Sequence, residues 1–373
     1  MRIAINTRFL LNGKMEGFGW YTYEICKRLV VNHPEHEFFF FFDRPFDEKW
    51  VFAKNVTPLV LSPPARHPIL FYIWFEWSVT KALKKHKIDL FFSPDGYLSL
   101  QTKIPQIATI HDINFEYYPK DIPFAARKYL RYFFPKFAAK ASEIITASQY
   151  SKADIAQKYA IPESKIHVIW NGASDLFVPI AKAKKQYIQE KISNRKPYFL
   201  FVGALHPRKN LVRLINAYNL YAASEKENAF YLVIVGENLW KNKGFKVEMS
   251  TTSMKKIHFT GRLTLEDLTG IMAAAGALAY VPYFEGFGIP LAEAMKCGVP
   301  IVSGNLTSLP EVAAEAALYC DPMDEKSIEN ALREMANNES LRKNLSQKSL
   351  ERGKLFSWDQ AAAQVWNVLE KYL

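Results

Sequence analysis

The stretch from Ala277 to Gly298 constrains the fold of this chain more than any other. It begins with a short apolar run, residues 277–282, that is typical of a buried strand. A loop with two glycines follows; Pro290 then stands where a helix would begin and Gly298 where it would stop. The glycines let the backbone approach a ligand, and the helix start directs its N–H groups at it. The stretch therefore predicts a strand, an anion-binding loop and a helix.

Two carboxylates flank this predicted anion site. Glu285 lies in the glycine loop, and Glu293 lies about one turn into the predicted helix. A phosphate at the helix start with a carboxylate on either side suits a nucleotide sugar. One glutamate would bind ribose hydroxyls and the other the sugar ring. Glutamates at this spacing are common by chance, so the hypothesis depends on the strand, the glycines and the proline around them.

A second candidate anion site follows the predicted strand that ends at Gly203. Arg208 and Lys209 lie at the predicted start of a helix, where cations are unfavourable for the helix dipole. An anionic ligand offsets that cost, and the pair would clamp two phosphates and stabilise the charge on a departing diphosphate. The alternative is a solvated charge pair. Gly236 and Glu237, after another predicted strand, are a weaker candidate.

Two candidates lie in the first half of the chain. Residues 17–19, Gly-Phe-Gly, form a glycine turn between the first predicted strand and a helix that starts at about Trp20. Phosphates bind at that position in α/β folds, although the turn lacks the third glycine of the dinucleotide fingerprint. His111 follows a predicted strand, at the end where open α/β sheets bind ligands. A lone histidine is otherwise most often structural.

Strand and helix signals divide the chain into two series. The predicted strands are residues 3–7, 37–43, 88–93, 106–110 and 143–148 in the first series, and 198–203, 231–235, 257–260, 277–281, 299–303 and 317–320 in the second. We place domains at 1–178 and 195–356, a linker at 173–196 where apolar signals are weak, and a last helix at 357–373. Helical segments between the strands predict an α/β fold with two Rossmann-like, doubly wound domains facing a cleft.

Length and composition narrow the class of protein. The 373 residues suffice for two domains, and 49% hydrophobic with 23% charged residues excludes a disordered chain. No apolar run approaches the roughly 20 residues that span a bilayer. The strand signal at the N-terminus predicts no signal peptide. The three cysteines are far apart and predict neither a disulfide framework nor a metal site, so we expect the reducing cytoplasm.

The net charge of +11 suits phosphorylated ligands, an anionic membrane or nucleic acid. No nucleic-acid module is recognisable, so nucleic acid is not an expected partner. Two segments, 69–87 and 122–140, combine aromatic and basic residues. They are interpreted either as amphipathic helices with their aromatics on a sheet and their lysines in solvent, or as a surface that docks on anionic membrane near a lipid-linked acceptor.

Metal chemistry is not predicted. The chain has no Asp-x-Asp motif and no Cys/His cluster with ligand spacing. Cationic side chains and the helix dipole would then take the place that a divalent ion has in other transferases. No separate cofactor is expected, since a nucleotide sugar would be a substrate.

The glutamate pair resembles the E-x7-E motif of glycosyltransferase family 4, whose members are retaining enzymes with the GT-B fold. Residues 297–303, Cys-Gly-Val-Pro-Ile-Val-Ser, and 308–312, Ser-Leu-Pro-Glu-Val, match that family as well. The resemblance covers nearly the whole chain and is strongest from Val202 to Asp321. It implies that the first domain binds the acceptor, that the second binds the donor, and that the last helix crosses back onto the first domain.

The resemblance also implies roles for individual residues. The implied donor-binding residues are Gly17, Gly19, Gly203, Arg208, Lys209, Arg262, Leu263, Glu285, Gly286, Phe287, Gly288, Ile289 and Glu293. The implied catalytic residues are His111, near the transferred sugar, with Glu285, Lys209 and Arg208. The chain departs from the family at Ala204, where many relatives carry arginine, and Arg208 is expected to substitute for it.

The donor is predicted less directly. The sequence around Lys209 and Glu285 is similar to that of bacterial mannosyltransferases of polysaccharide assembly. GDP-mannose is therefore the first expected donor and a UDP-sugar the second, with a glycan or lipid-linked acceptor. Two other classes stay open. A nucleotide-sugar 2-epimerase has the same fold but needs no acceptor, and a non-enzymatic basic binder would have no use for the two glutamates.

Overall fold

The chain divides into two compact units. The computed structural model describes residues 1–13, 15, 17–204, 206–236 and 251–373, with the backbone alone at 251 and 252. One unit comprises Met1–Asn171 with Trp358–Leu373, and the other comprises Gly172–Ser357. Each unit contains one parallel sheet covered by helices.

Short strands, most of them apolar and buried, form the two sheets. In the described residues they are β1 (Arg2–Asn6), β2 (Glu37–Phe42), β3 (Val56–Val60), β4 (Leu90–Ser93), β5 (Gln106–Thr109), β6 (Glu143–Thr146), β7 (Ile166–Val168), β8 (Tyr198–Val202), β9 (Tyr231–Val235), β10 (Ile257–Gly261), β11 (Ala277–Tyr280), β12 (Ile301–Gly304) and β13 (Ala317–Cys320). Four phenylalanines of β2 are at most 2% exposed, because helices cover both faces of a parallel sheet.

Helices connect most of these strands. They are α1 (Gly17–Asn32), α2 (Pro68–Ile73), α3 (Thr80–Lys85), α4 (Asn114–Tyr117), α5 (Phe124–Lys140), α6 (Gln149–Tyr159), α7 (Lys182–Ser193), α8 (Leu211–Glu225), α9 (Thr251–Met254), α10 (Leu265–Ala274), α11 (Ile289–Lys296), α12 (Leu309–Ala313), α13 (Glu325–Asn337), α14 (Glu339–Gly353) and α15 (Trp358–Leu369). A π-helical segment, Trp74–Val79, joins α2 to α3.

Strand order determines where each unit can bind a ligand. The sheet of the first unit has the order β3-β2-β1-β4-β5-β6-β7, and that of the second has the order β10-β9-β8-β11-β12-β13. The order reverses between β1 and β4 and between β8 and β11. Crevices form beyond the carboxyl ends of strands at such switch points. The prediction of an α/β fold built from two parallel-sheet domains is confirmed.

The last helix, α15, packs on α1 of the first unit. Trp366 stacks on His33 with ring centres 3.5 Å apart, and Arg28 Nε lies 2.5 Å from Asp359 Oδ1. Trp358 also contacts the edge of the Tyr21 ring. These contacts attach the C-terminus of the chain to the first unit.

The sequence-based boundary of the second domain is too late. Residues 173–196 were predicted as a linker, yet the second unit begins at Gly172 and α7 lies within that range. Lys185 and Gln189 of α7 donate side-chain hydrogen bonds to the carbonyls of Ala275 and Ala274, both 3.0 Å long. The buried residues of α7, Gln189 and Ser193, are both polar, so the helix shows only a weak apolar stripe in the sequence.

Two further details differ from the sequence-based expectations. Helix α1 begins at Gly17 and not near Trp20, so the two glycines form its first turn. The sequence also gave no indication of β3, which contains Pro58 and lies at the edge of its sheet. Proline is tolerated at such an edge but is evidence against a strand in a sequence pattern.

A pair of glycine substitutions tests the packing that supports α11. A Cβ at Gly353, the last residue of α14, would lie 2.8 Å from the carbonyl carbon of Met295 in α11. We expect Gly353→Ala to lower the free energy of unfolding by about 1–3 kcal/mol, because the two backbones must separate. Urea denaturation followed by circular dichroism measures this change.

Gly270→Ala is the matched control, since a Cβ there would lie 3.4 Å from Ile188 and meet no backbone. It should be neutral or stabilising by about 0.4–1 kcal/mol, because alanine restricts the unfolded chain. Equal unfolding free energies for the two variants would contradict the close approach of α14 to α11.

Candidate active site

The loop between β11 and α11 forms as predicted. Gly288 precedes α11 with φ of 93°, and a Cβ there would lie 3.0 Å from Leu309. Glycine is therefore required for both conformation and space. Pro290 lies in the first turn of α11, where its missing N–H is not needed. The start of α11 thus lies at the carboxyl end of β11, beside the switch point.

Arg208 and Lys209 lie in a short 3-10 turn, Pro207–Lys209, and α8 begins two residues further on. Asn210 follows in the left-handed conformation, with φ of 60°. Its buried amide donates to the carbonyls of Val281, at 2.9 Å, and Pro322, at 2.6 Å. The turn that carries the two cations is therefore fixed to the end of β11. Sequence reasoning missed this role of Asn210.

Glu285 lies between the two cations. Its Oε1 is 2.7 Å from Arg208 Nη1 and 2.5 Å from Lys209 Nζ, and its side chain is only 7% exposed. Burial by itself would raise the pKa of Glu285, but the positive charges of Arg208 and Lys209 outweigh it and lower the pKa to about 2. The structure therefore brings together three of the predicted residues, and Glu285 is packed against the cations rather than displayed at a loop tip.

Glu293 has a different environment. It lies in the second turn of α11, half-buried, and burial raises its pKa to about 7 while Lys209 opposes that shift. The attraction of Lys209 places Glu293 within electrostatic range of the same cluster. A carboxyl with this pKa exchanges its proton near neutral pH, so it can donate as well as accept a hydrogen bond.

The other predicted donor-binding residues of this unit differ in exposure. Gly203 directly follows β8, and a Cβ there would lie 3.6 Å from Lys209 Cδ. Arg262 is exposed and Leu263 is half-buried after β10, the edge strand of the sheet. Phe287 is buried with its ring against Phe356, so its side chain serves packing. Gly286 is buried and Ile289 half-buried, in and after the same loop, whereas Glu237 lies outside the described residues.

Sequence reasoning also missed Tyr280, the last residue of β11. Its ring is fully buried, and its hydroxyl oxygen accepts a hydrogen bond of 2.7 Å from Lys209 Nζ. In a sequence, a tyrosine in an apolar run indicates core packing. The proximity of Lys209, 71 residues away, was the missing information.

In the first unit, His111 lies close to the start of α1. Its Nε2 is 2.9 Å from the carbonyl oxygen of Pro94, and since a carbonyl only accepts, Nε2 carries the hydrogen. The rings of Tyr21 and Phe18 lie 4.6 and 5.0 Å from the imidazole. Burial lowers the pKa of His111, so the ring is neutral at pH 7 with Nδ1 as an acceptor. Gly19 has no room for a side chain, because a Cβ would lie 2.7 Å from the Phe9 carbonyl oxygen.

A buried ion pair lies at the switch point of the first sheet. Arg8 follows β1 and Asp95 follows β4, with Nε and Oδ2 2.6 Å apart and both side chains at most 4% exposed. Asn6 donates to Asp95 at 2.8 Å, and the Arg8 guanidinium lies 4.2 Å from the Tyr97 ring centre. This pair holds Asp95 in place directly after Pro94, whose carbonyl accepts from His111. No pattern in the sequence predicted this ion pair.

Neither a metal cluster nor a membrane-spanning helix is found in the described parts of the chain. Within those residues, no three His, Cys, Asp or Glu side chains are grouped so that they could hold a metal ion. Likewise, no helix among them has both the length and the apolarity to cross a bilayer.

Comparison with known proteins identifies the class. Residues 15–175 match the family model described as Glycosyltransferase Family 4, and residues 183–352 match the model of glycosyl transferases group 1. The chain is therefore a glycosyltransferase. Because it matches the family model and also has the glutamate motif at the observed site, it belongs to glycosyltransferase family 4, as the resemblance implied.

Similar proteins agree with this assignment. The chain is 28% identical to the O-antigen chain mannosyltransferase B of Escherichia coli, over 95% of both chains. It is 27% identical to the O-antigen chain mannosyltransferase RfbU of Salmonella typhimurium, over 77% of both. Among solved structures, sucrose-phosphate synthase from Thermosynechococcus elongatus superposes with a TM-score of 0.77, at 18% identity and with 99% of this chain and 98% of that chain covered. This likeness shows the GT-B fold.

The pKa of Glu293 leads to a prediction about stability and pH. A pKa raised from 4.5 to about 7 on folding stabilises the fold below pH 4.5, and that contribution is lost as pH rises through 7. Glu293→Gln resembles the protonated carboxyl at every pH. We therefore expect its free energy of unfolding to exceed that of the wild type by roughly 2 kcal/mol at pH 8 and by little near pH 5. Urea denaturation at the two pH values measures the difference.

Glu329→Gln is a control of opposite sign in the same unit. Burial raises the pKa of Glu329, but its hydrogen bonds and charge interactions with Lys326 and Arg333 outweigh this and lower the pKa. The substitution should therefore destabilise the protein at pH values above the normal pKa of glutamate. If Glu293→Gln follows the wild type at both pH values, Glu293 is ionised in the native state throughout.

Proposed function

We propose that the protein transfers mannose from GDP-mannose, with retention of anomeric configuration, to a glycan or lipid-linked acceptor in polysaccharide assembly. One observation carries the proposal: two cations and two carboxylates converge where β8 and β11 end, at the start of α11. The mannosyltransferases among the similar proteins support the choice of sugar. We infer that the enzyme works in the cytoplasm.

In this proposal the donor is held by charge rather than by a metal ion. Arg208 and Lys209 bind the diphosphate together with the N–H groups at the start of α11. The exposed Arg262 and the neighbouring Leu263 contact the base, Glu293 the ribose and Glu285 the mannose. Many relatives carry an arginine where this chain has Ala204, and Arg208 supplies the missing guanidinium.

The reaction is a substitution at the anomeric carbon. The bond from that carbon to the diphosphate oxygen breaks, a bond to an acceptor oxygen forms on the same face, and the acceptor proton passes to the leaving diphosphate. Such a step depends on positioning and on stabilising negative charge on the leaving group. Lys209 and Arg208 supply that charge, and the neutral His111, with Gly17 and Gly19 nearby in its own unit, is proposed to contact the transferred sugar.

A donor panel tests the proposal. Thermal shift is measured with GDP-mannose, GDP-glucose, UDP-glucose, ADP-glucose and dTDP-glucose, since a selectively bound donor raises the melting temperature. We expect the largest shift with GDP-mannose, and transfer that persists in excess EDTA. A shift with UDP-glucose alone would identify UDP-glucose, and not GDP-mannose, as the donor. Sugar release that needs no acceptor would favour the epimerase, and no shift with any nucleotide sugar would refute the donor site.

The two glutamates should differ kinetically. Glu293 contacts the ribose, which is the same in ground and transition states, so Glu293→Gln should mainly raise the donor KM. Glu285 faces the sugar as positive charge develops on it, so Glu285→Gln should mainly lower kcat, by about tenfold or more. Steady-state kinetics with varied donor separates the two effects. Full activity of Glu285→Gln, with a native melting temperature, contradicts the donor-sugar assignment.

We also propose that the enzyme docks on anionic membrane through one surface of the first unit. This aromatic-basic surface consists of exposed side chains of residues 69–87 and 122–140. Within it α2 and α5 lie side by side, with the rings of Tyr72 and Phe133 5.8 Å apart. Its exposed apolar members are Ile69 (65%), Tyr72 (40%), Trp77 (66%), Phe124 (60%) and Tyr132 (60%). Other aromatic residues of the two segments are buried in the core: Trp74, Phe75, Phe134 and Phe137. The segments therefore contribute both to core packing and to an exposed surface. Cations lie beside the exposed rings, with Lys136 Nζ 3.4 Å from the centre of Tyr132.

Vesicle binding tests this surface. Co-sedimentation should rise with the fraction of anionic lipid and fall with salt, because the attraction is screened. Trp77→Ala should reduce binding several-fold, since an interfacial tryptophan contributes apolar area. Leu220→Ala is the matched control: Leu220 is 49% exposed on α8 of the other unit. If the protein does not sediment with anionic vesicles at low salt, the basic side chains of this surface are only solvated and do not bind membrane.

A further inference from the structure

Tyr280 differs from the rest of its strand. The other residues of β11, Ala277 to Ala279, are small or aliphatic, and all four are fully buried. A buried hydroxyl is costly unless it forms hydrogen bonds. Core packing alone would be served by phenylalanine, so the partners of the hydroxyl explain why tyrosine is suitable here.

The hydroxyl lies among charged groups of the donor site. Lys209 Nζ lies 2.7 Å from Tyr280 Oη, and because an ammonium only donates, the phenol oxygen is the acceptor. The same Nζ lies 2.5 Å from the Glu285 carboxylate. The ammonium of the residue proposed for the diphosphate therefore bridges the Tyr280 hydroxyl and the residue proposed for the sugar.

Tyr280 and Glu285, which both contact Lys209, respond differently to an arriving diphosphate. The Glu285 carboxylate, 2.5 Å from Nζ, carries the same sign of charge as the diphosphate and competes with it for the ammonium. The hydroxyl is neutral and does not compete. A lysine side chain loses rotamer freedom when it is held, and a hydrogen bond already present in the donor-free protein removes part of that cost from binding.

We propose that Tyr280 is a positioning residue, whose hydroxyl holds the Lys209 ammonium at the place where it meets the donor diphosphate. The inference rests on the proposed function, because the ligand is taken to be a nucleoside diphosphate sugar. Tyr280 acts through Lys209 and does not itself contact the diphosphate.

The test removes the hydroxyl and leaves the ring. Binding of GDP, with UDP in parallel, is measured by titration calorimetry well below the melting temperature. Tyr280→Phe should weaken GDP binding about tenfold, as expected for a lost hydrogen bond to a charged group. Tyr218→Phe is the matched control, since its buried hydroxyl donates to the Phe230 carbonyl at 2.8 Å in the same unit. This control should bind GDP like the wild type.

A double-mutant cycle separates positioning from a general loosening of the site. In a Lys209→Met background, Tyr280→Phe should cause no further loss of GDP affinity, because the group it positions is gone. Unchanged affinity of Tyr280→Phe, an equal loss in Tyr218→Phe, or the same loss with and without Lys209 would each overturn the inference. Failure of the wild type to bind any nucleoside diphosphate would instead refute the proposed function.

Discussion

The ion pairs of Glu285 with Arg208 and Lys209 are the interaction on which the second unit's site depends. Two cations lie side by side with side chains no more than 20% exposed, and a single buried carboxylate contacts both. Removing charges from water costs several kcal/mol per ion, so such a cluster is seldom retained for stability. The proposed role in binding a diphosphate accounts for the two cations, which are part of the site before any donor arrives. Glu285 is their counter-ion in the donor-free protein.

The surrounding fold keeps this cluster in place through contacts between distant parts of the chain. Asn210 ties the cationic turn to the carbonyls of Val281 and Pro322, and Gly288 allows α11 to begin directly beside it. Strand order brings the two loops of the site together. Because β8 and β11 are neighbours at the switch point, residues about 75 positions apart become adjacent. The site is a product of topology more than of any local motif.

Local patterns explain what the sequence predicted well. The strand, glycine loop and helix around Glu285 are set by short-range preferences for apolar runs, glycine and proline, and they form where expected. The long-range partners were beyond such patterns: no periodicity indicates that Arg8 meets Asp95 or that Lys209 meets Tyr280. The helix α7 was missed for a related reason, since its buried residues, Gln189 and Ser193, are polar rather than apolar.

The two glutamates of the motif show how environment separates identical side chains. Glu285 is buried and Glu293 half-buried, yet the pKa of Glu285 is lowered to about 2 and that of Glu293 is raised to about 7. The difference arises from contact: both cations touch Glu285, whereas Glu293 has burial as its main influence and only the more distant attraction of Lys209. Pairs of carboxyls with separated pKa values commonly have separate roles. A permanently ionised Glu285 suits a sugar that becomes positive, and a Glu293 that can carry a proton suits neutral ribose hydroxyls. In the proposed reaction, the cations assigned to the diphosphate would thereby also determine which carboxylate is ionised beside the sugar.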